Sequence, residues 1–286
     1  GRTDTASTLQ GGGGNDSLVA GTTDASIADT LDGGSGSDSL LGGAGNDSLI
    51  GGSGNDSLNG GAGTNTADYS GATSAVTADL SKGTASGGSD VGTDTLTSIQ
   101  NLTGGSASDT LIGDAGNNGL SGGGGNDSLM GGAGNDTLDG GAGTNTADYS
   151  TATSAITADL SKGTASGGSD VGTDKLVAIQ NLSGGSANDT LSGDGGNNGL
   201  SGGGGNDSLI GGAGNDTLDG GAGTNTADYS SAQSAITANL TTGTASGGSD
   251  VGTDKLIAIQ NLSGGSANDT LIGDAGNNGL SGGGGN

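Results

Sequence analysis

A nine-residue motif recurs along most of this chain, and residues 131–139, which read GGAGNDTLD, are a complete example. Starts of the same kind recur every nine residues over 33–60, 104–140, 184–220 and 264–282, with a lone copy at Gly11. Repetition at a fixed short period constrains the architecture more than any other feature, because every copy must stack on copies of itself. The sequence therefore predicts a solenoid in which each repeat contacts mainly its neighbours.

Each repeat divides into a six-residue turn and a three-residue strand. Glycines at positions 1, 2 and 4 permit positive φ and close backbone approach, and Asn at position 5 also tolerates left-handed geometry. Side chains alternate along the strand, so one leucine per repeat faces inward. Stacked copies would form two thin parallel sheets around a core one residue deep. The inward residues include Leu40, Leu49, Leu58, Leu111, Leu120, Leu129 and Leu138.

Aspartate at position 6 carries the chemistry of the repeat. Stacking brings the carboxylate of one turn near that of the turn two repeats later, and the two charges repel unless a cation lies between them. Carboxylate and carbonyl oxygens in a flexible turn suit Ca²⁺ better than Mg²⁺. The chain has no His and no Cys, so Zn²⁺ and copper lack good ligands.

The composition provides too little apolar surface for an ordinary core. Glycine accounts for 71 of 286 residues, only 28% of residues are hydrophobic, and the formal net charge is −26. Bound ions must therefore supply part of the free energy of folding. The negative charge repels nucleic acid and anionic membrane surfaces, and no apolar segment is long enough for membrane insertion. Without His, Cys or Glu the usual catalytic triads and nucleophile arrangements are absent, so we predict no enzyme.

A longer period of 80 residues is superimposed on the nonapeptides, and Tyr69, Tyr149 and Tyr229 mark it. Each block contains about five nonapeptides and an insert, in which residues 75–80 alternate so that Val76, Ala78 and Leu80 share one face. The tyrosines are interpreted as packing residues. The expected segments are an irregular lead-in with one repeat at 1–32, repeats at 33–63, 104–143 and 184–223, inserts at 64–103, 144–183 and 224–263, and a truncated set of repeats at 264–286.

The motif resembles the RTX (repeats-in-toxin, haemolysin-type) calcium-binding nonapeptide, and eight repeats match G-G-x-G-x-D in full. The resemblance implies an all-β fold, a calcium-stapled parallel β-roll with two nonapeptides per turn and Ca²⁺ between successive turns. It also implies that the inserts are longer turns of the same roll; a surface loop outside the roll is the alternative. About ten ions are expected, which would reduce the net charge to roughly −6. The chain end at Asn286, within a repeat, is interpreted as a cut through a longer polypeptide.

By the same resemblance, pairs of position-6 residues two repeats apart should share an ion. Asp38/Asp56, Asp109/Asp127 and Asp189/Asp207 should form full sites, and pairs in which Asn replaces one Asp should form weaker ones. In the turn at 87–94, Asp90 or Asp94 is a candidate for an additional ion. The predicted metal ligands are Asp16, Asp38, Asp47, Asp56, Asn65, Asp109, Asn118, Asp127, Asp136, Asn145, Asp189, Asn198, Asp207, Asp216, Asn225 and Asp269.

Two further features complete the pattern. Some repeats depart from it, with Ala107 at the fourth position of one and Asp114 at the second position of the next, so a different local turn geometry is expected there. Position 9 points outward and is often apolar. If these residues share one sheet face, they could form a row for self-association, although single exposed aliphatic residues are also common. The row would comprise Ile50, Ile112, Met130, Ile210 and Ile272.

Two functions follow from this reading. The first is a structural segment of an extracellular bacterial protein (a filament, surface layer or adhesin extender) that folds and rigidifies on binding Ca²⁺ after type I secretion. The near-identical 80-residue blocks favour it, because length rather than one unique site is repeated. The alternative is a calcium-triggered folding and secretion module of an RTX toxin, protease or lipase. An ice-binding face is disfavoured because position 7 mixes Ser and Thr.

Overall fold

The computed structural model describes residues 5–21 and 24–285 and divides the chain into two compact units, residues 1–145 and 146–286. Across the described ranges the regular secondary structure is β-strand, with no helix. Hence no helix of sufficient length and apolarity to span a bilayer occurs in that part of the chain. The predicted lead-in and the predicted final segment include residues 1–4, 22, 23 and 286, which lie outside the described residues.

The strands are short and follow one another at nearly constant spacing. In the first unit they are β1 Thr8–Gly13, β2 Ser17–Val19, β3 Thr30–Ser35, β4 Ser39–Ala44, β5 Ser48–Ser53, β6 Ser57–Ala62, β7 Thr66–Asp68, β8 Thr77–Asp79, β9 Thr84–Ser86, β10 Thr93–Thr97, β11 Asn101–Thr103, β12 Thr110–Ile112, β13 Gly119–Ser121, β14 Ser128–Met130 and β15 Thr137–Asp139.

The second unit repeats this organisation. Its strands are β16 Thr146–Asp148, β17 Thr157–Asp159, β18 Thr164–Ser166, β19 Thr173–Val177, β20 Asn181–Ser183, β21 Thr190–Ser192, β22 Gly199–Ser201, β23 Ser208–Ile210, β24 Thr217–Asp219, β25 Thr226–Asp228, β26 Thr237–Asn239, β27 Thr244–Ser246, β28 Thr253–Ile257, β29 Asn261–Ser263, β30 Thr270–Ile272 and β31 Gly279–Ser281.

Successive nonapeptides lie in two different sheets. In the first unit one sheet has the order β1-β3-β5-β7-β11-β13-β15, and the other has the order β2-β4-β6-β10-β9-β8-β12-β14. The strands of the nonapeptide repeats pair in parallel and are offset by two repeats, as when Leu40 in β4 lies beside Leu58 in β6. The predicted parallel β-roll with two nonapeptides per turn is confirmed.

The core of the nonapeptide repeats is formed mainly by the inward leucines. Each of the seven leucines expected to face inward in the first unit is at most 1% exposed. Because a three-residue strand contributes a single inward side chain, no layer of the core is deeper than one residue on each side. Stability therefore depends on contacts between neighbouring turns rather than on distant packing.

The glycines of the turn serve two different purposes. At positions 2 and 4 the backbone has positive φ, for example 96° at Gly34 and 131° at Gly36. At position 1 the φ is ordinary, but a Cβ on Gly33 would collide with Oδ2 of Asp38. Position 1 is therefore glycine because of crowding, and positions 2 and 4 are glycine because of backbone conformation.

The insert strands are part of the sheets. In the first unit β8, β9 and β10 form an antiparallel meander, with β10 paired in parallel with β6 and β8 paired in parallel with β12. Meanwhile β7 continues the opposite sheet between β5 and β11. Val76 and Ala78 are fully buried, whereas Leu80 at the end of the predicted alternation is half-buried. The meander occupies the place of one ordinary strand position in the alternation between sheets.

The outward apolar residues do not share one sheet, so that prediction was wrong. Ile50 lies in β5 of one sheet, whereas Ile112 and Met130 lie in β12 and β14 of the other sheet. In the second unit Ile210 and Ile272 are divided in the same way. The reason is that the chain changes sheet an odd number of times in each 80-residue block. The insert adds one visit to a sheet, since its three meander strands lie in the same sheet.

Candidate calcium sites

The position-6 residues form hydrogen-bonded columns along the turns. The backbone N–H of Asp38 donates to Oδ1 of Asp56 at 2.8 Å, so the side chain of each turn is anchored on the turn before it. The same bond joins Asp109 to Asp127 at 2.8 Å and Asp189 to Asp207 at 2.8 Å. The structure thus brings together the members of all three pairs expected to form full sites.

The pairs in which Asn replaces one Asp are joined by the same bond. The backbone N–H of the earlier residue donates to the side-chain Oδ1 of the later one at 2.8–2.9 Å. At the column ends, the Asp16 N–H donates to Oδ1 of Asp38 at 2.7 Å, and Oδ1 of Asp269 accepts the Ile236 N–H at 3.0 Å. The amide pairs are Asp47/Asn65, Asn118/Asp136, Asp127/Asn145, Asn198/Asp216 and Asp207/Asn225.

The second carboxylate oxygen faces another acceptor. A Cβ placed on Gly11 would lie 2.6 Å from Oδ2 of Asp16 and 2.6 Å from the carbonyl oxygen of Gly33, so both oxygens border the same small space. Two acceptors that face each other without a donor between them repel unless a cation joins them. Buried Oδ2 atoms with no hydrogen-bond partner occur in Asp16, Asp38, Asp47, Asp56, Asp127, Asp207 and Asp216.

This donor set fits a hard divalent cation that is bound mainly by backbone. In the described parts of the chain, no three His, Cys, Asp or Glu side chains converge on one point. A calcium ion would therefore be held by one or two carboxylates with turn carbonyls, an all-oxygen set that Ca²⁺ accepts. Asp38, Asp47 and Asp127 would hold it with the carbonyls of Gly51, Gly60 and Gly140, each of which borders the same space as its carboxylate.

Burial makes these carboxylates reluctant to ionise in the absence of a cation. Burial raises the pKa of Asp216 to about 6, and the charge of Asp254 adds to the rise. Burial likewise raises the pKa of Asp94 to about 6, against the opposing effect of two hydrogen bonds to its charged form. A bound cation would reverse this effect by stabilising the ionised form. Burial also raises the pKa of Asp47, Asp56, Asp109, Asp127, Asp189 and Asp207.

The two additional candidates in the insert are both engaged by protein donors. The carboxylate of Asp90 accepts bonds from the backbone N–H and hydroxyl groups of Thr73 and Ser74, which hold its pKa well below the usual range. Asp94 accepts the Asp56 N–H at 2.9 Å and the Tyr69 hydroxyl at 3.0 Å. Asp90 therefore closes a loop, and Asp94 continues a position-6 column.

Sequence reasoning missed four members of the columns or gave them another role. Each is at most 1% exposed, and each is the first residue of an Asp-x-Leu triplet. The four are Asp29, Asp94, Asp174 and Asp254. That triplet, without the preceding glycines, was the available signal. The position-5 asparagines, which tolerate left-handed geometry, do not use it, because none of those described has a positive φ. They form a second column, as when Oδ1 of Asn46 accepts the Thr64 N–H at 2.8 Å.

A comparison with protein-family models agrees with this geometry. The model described as the RTX calcium-binding nonapeptide repeat matches residues 3–24, 28–67, 99–129, 112–147, 180–209, 200–227 and 259–286. These segments cover more than half of the chain and leave out the central part of each insert. Comparison with curated proteins finds no match. The chain belongs to the RTX calcium-binding nonapeptide repeat family.

Proposed function

We propose that this chain is a structural spacer in an extracellular bacterial filament, surface layer or adhesin, and that it folds when it meets external calcium after secretion. The observation that carries the proposal is the recurrence of buried carboxylate oxygens without a hydrogen-bond partner from turn to turn in both units. A chain whose carboxylates lack partners along its length requires ions along its length. The repeats would then serve to form a stiffened length of chain rather than a single binding pocket.

The calcium levels on the two sides of the membrane would make this folding directional. Extracellular calcium-binding modules have dissociation constants of about 0.1–1 mM, so the cytosol would leave the turns empty. With a net charge of −26 and a thin core, the empty chain is poorly stabilised and suited to export. Outside the cell, each ion that joins neighbouring turns favours binding of the next.

Sedimentation velocity of the chain in chelator and in millimolar calcium tests the proposal. We expect a slowly sedimenting, expanded monomer in chelator and a compact species in calcium, and a calcium-dependent series of larger assemblies would support the filament or surface layer. Magnesium at the same concentration is the control, because its small octahedral shell suits these carbonyl-rich turns poorly. Identical sedimentation in chelator and calcium would reject calcium-coupled folding.

A compact monomer at every calcium-loaded concentration would favour the folding and secretion module instead. That outcome would preserve the calcium dependence and remove the argument for an assembly built by this segment.

A further inference from the structure

The position-6 carboxylates fall into two groups that the sequence motif does not separate. Asp127 has one oxygen bound to a backbone N–H and one buried oxygen with no hydrogen-bond partner. Asp109, one turn earlier, has both oxygens occupied: Oδ1 accepts the Val76 N–H at 2.8 Å and Oδ2 accepts the Gly105 N–H at 2.6 Å. A carboxylate with two backbone donors has less need of a cation, because each of its oxygens already has a hydrogen-bond partner.

The difference originates at position 2 of the turn. Gly123, at position 2 of the repeat containing Asp127, has a φ of 91°, whereas Gly105 has no positive φ. In the repeat of Gly105 the position-2 N–H points inward and donates to the position-6 side chain. The next repeat does the same, because the Asp114 N–H donates to Oδ1 of Asn118 at 2.8 Å. These are the repeats whose sequences depart from the motif at Ala107 and Asp114.

The second unit contains the same arrangement, so it is a property of the block. Asp189 accepts the Ile156 N–H at 2.9 Å and the Gly185 N–H at 2.7 Å. The Asp194 N–H donates to Oδ1 of Asn198 at 2.8 Å.

Side-chain amides carry the other column past the insert. Nδ2 of Asn65 donates to the Ser98 carbonyl at 3.1 Å, and the Asn65 N–H donates to Oε1 of Gln100 at 2.8 Å. Nδ2 of Asn118 then donates to the Gln100 carbonyl at 2.9 Å. At Asn65, a Cβ placed on Gly60 would collide with both Nδ2 and the Ser98 carbonyl oxygen, so the amide lies where Asp-containing repeats present their free oxygen. The amide hydrogen therefore joins the side chain to the facing carbonyl oxygen, as a bound ion would in the Asp-containing repeats.

We propose that these turns are built to fold without calcium: Asn65, Asn118 and their counterparts exclude the ion by donating a hydrogen bond in its place, and Asp109 and Asp189 are satisfied by backbone donors. The inference rests on the proposed calcium-dependent folding and changes its distribution. Each block then alternates turns that require ions with turns around the insert that hold themselves together. In several pairs predicted from the motif, including Asp109/Asp127, only one member would then take part in binding an ion.

The test counts calcium bound per chain by equilibrium dialysis with calcium alone, for the unmodified chain and four variants. Asp127→Asn should lose at least one ion, and Asp109→Asn should lose none. Asn118→Asp should gain an ion or need more calcium to fold, because it replaces a donor by an acceptor beside the Gln100 carbonyl. Asn126→Asp is the charge-matched control, since Oδ1 of Asn126 already accepts the Thr144 N–H at 2.8 Å and a carboxylate keeps that bond.

Circular dichroism in saturating calcium establishes that each variant folds. Equal losses in Asp109→Asn and Asp127→Asn would overturn the inference, and so would an Asn118→Asp variant that matches Asn126→Asp in both ion count and calcium midpoint. If Asp109→Asn does not fold, the Asn118 comparison decides. Absence of calcium binding by the unmodified chain is a different result, because it would reject the proposed function itself.

Discussion

Two adjacent glycines in one turn show how residue identity is controlled at the scale of a single position. Gly123 has a φ of 91°, and a Cβ there would collide with the Gly105 carbonyl oxygen. Gly124 has no positive φ. The atom nearest to a Cβ placed there would be Cα of Ser106 at 3.7 Å, which is an ordinary van der Waals contact. The first glycine is required by conformation and crowding, and the second is not.

Alanine at these two positions should therefore have opposite effects. Gly123→Ala should cost at least about 1–2 kcal/mol from left-handed backbone strain, in addition to the collision. Gly124→Ala should be neutral or stabilise by up to about 1 kcal/mol, because it restricts the unfolded chain. Thermal unfolding of both variants in saturating calcium measures the difference, and equal transition temperatures would contradict this account.

The leucines permit a second comparison at the same scale. Leu49 is fully buried in β5, whereas Leu41 in β4 is 37% exposed. Leu49→Ala should cost about 2–5 kcal/mol, since a core one residue deep has little with which to fill the cavity. Leu41→Ala should cost less than about 1 kcal/mol. Denaturant unfolding in calcium would show the contrast, and a similar loss for both would mean that the burial does not govern stability.

At the scale of the element, the insert is the place where the roll changes its pattern. The meander of β8, β9 and β10 replaces a single strand, and the column of Asp56 continues to Asp94, whose carboxylate also accepts the Tyr69 hydroxyl at 3.0 Å. Both side chains are buried, at 4% and 0% exposure. Tyr69 is thus a packing residue that also supplies a buried donor.

Tyr69→Phe should destabilise the calcium-loaded chain by about 1–3 kcal/mol, because it leaves a buried oxygen of Asp94 without its donor while preserving the ring. Tyr229→Phe removes the equivalent 2.9 Å bond to Asp254 in the second unit and serves as an independent repeat. Calorimetry measures both. A shift below about 0.5 kcal/mol in each would show that the hydroxyl contributes packing only.

The sequence predicted the repeated features well and the exceptions poorly. The inward leucines follow directly from the nine-residue period, whereas the two repeats per turn and the position-6 pairs follow from the resemblance to the RTX nonapeptide. Which of the two sheets contains Ile50 and which contains Ile112 was not predicted, because it depends on whether the insert contributes a strand position to the alternation between sheets. The hydrogen bond from the Gly105 N–H to the Asp109 carboxylate was not predicted either. It depends on the φ of Gly105, and a glycine residue does not determine its own φ.

At the scale of the whole molecule, charge dominates. The chain has 5 basic and 31 acidic residues, and its buried carboxylates lie close to one another along the columns. Cations and protons are alternative ways to relieve that repulsion. The response of the chain to acid should consequently depend on whether calcium is present.

Without calcium, acidification from pH 7 to pH 5 should increase the structured fraction. Asp94 and Asp216 have folded pKa values of about 6, raised above the ordinary 3.8, so the folded chain binds more protons than the unfolded chain in this range and gains stability as pH falls. With calcium near its midpoint, the same change should reduce structure because protons compete with the ion. Far-UV circular dichroism follows both titrations, and the same sign in both would contradict the prediction.

The odd number of sheet changes per block has a consequence for anything attached to the outside. A label or an antibody epitope placed at the same position of two consecutive blocks within one unit would be displayed on opposite sheets, as Ile50 and Met130 are. Duplicating a block therefore adds a binding position on the reverse side rather than extending a row. A flat partner on one sheet of a unit would meet the label of only one of two consecutive blocks, so denser decoration of that sheet requires a change in the insert rather than in the number of blocks.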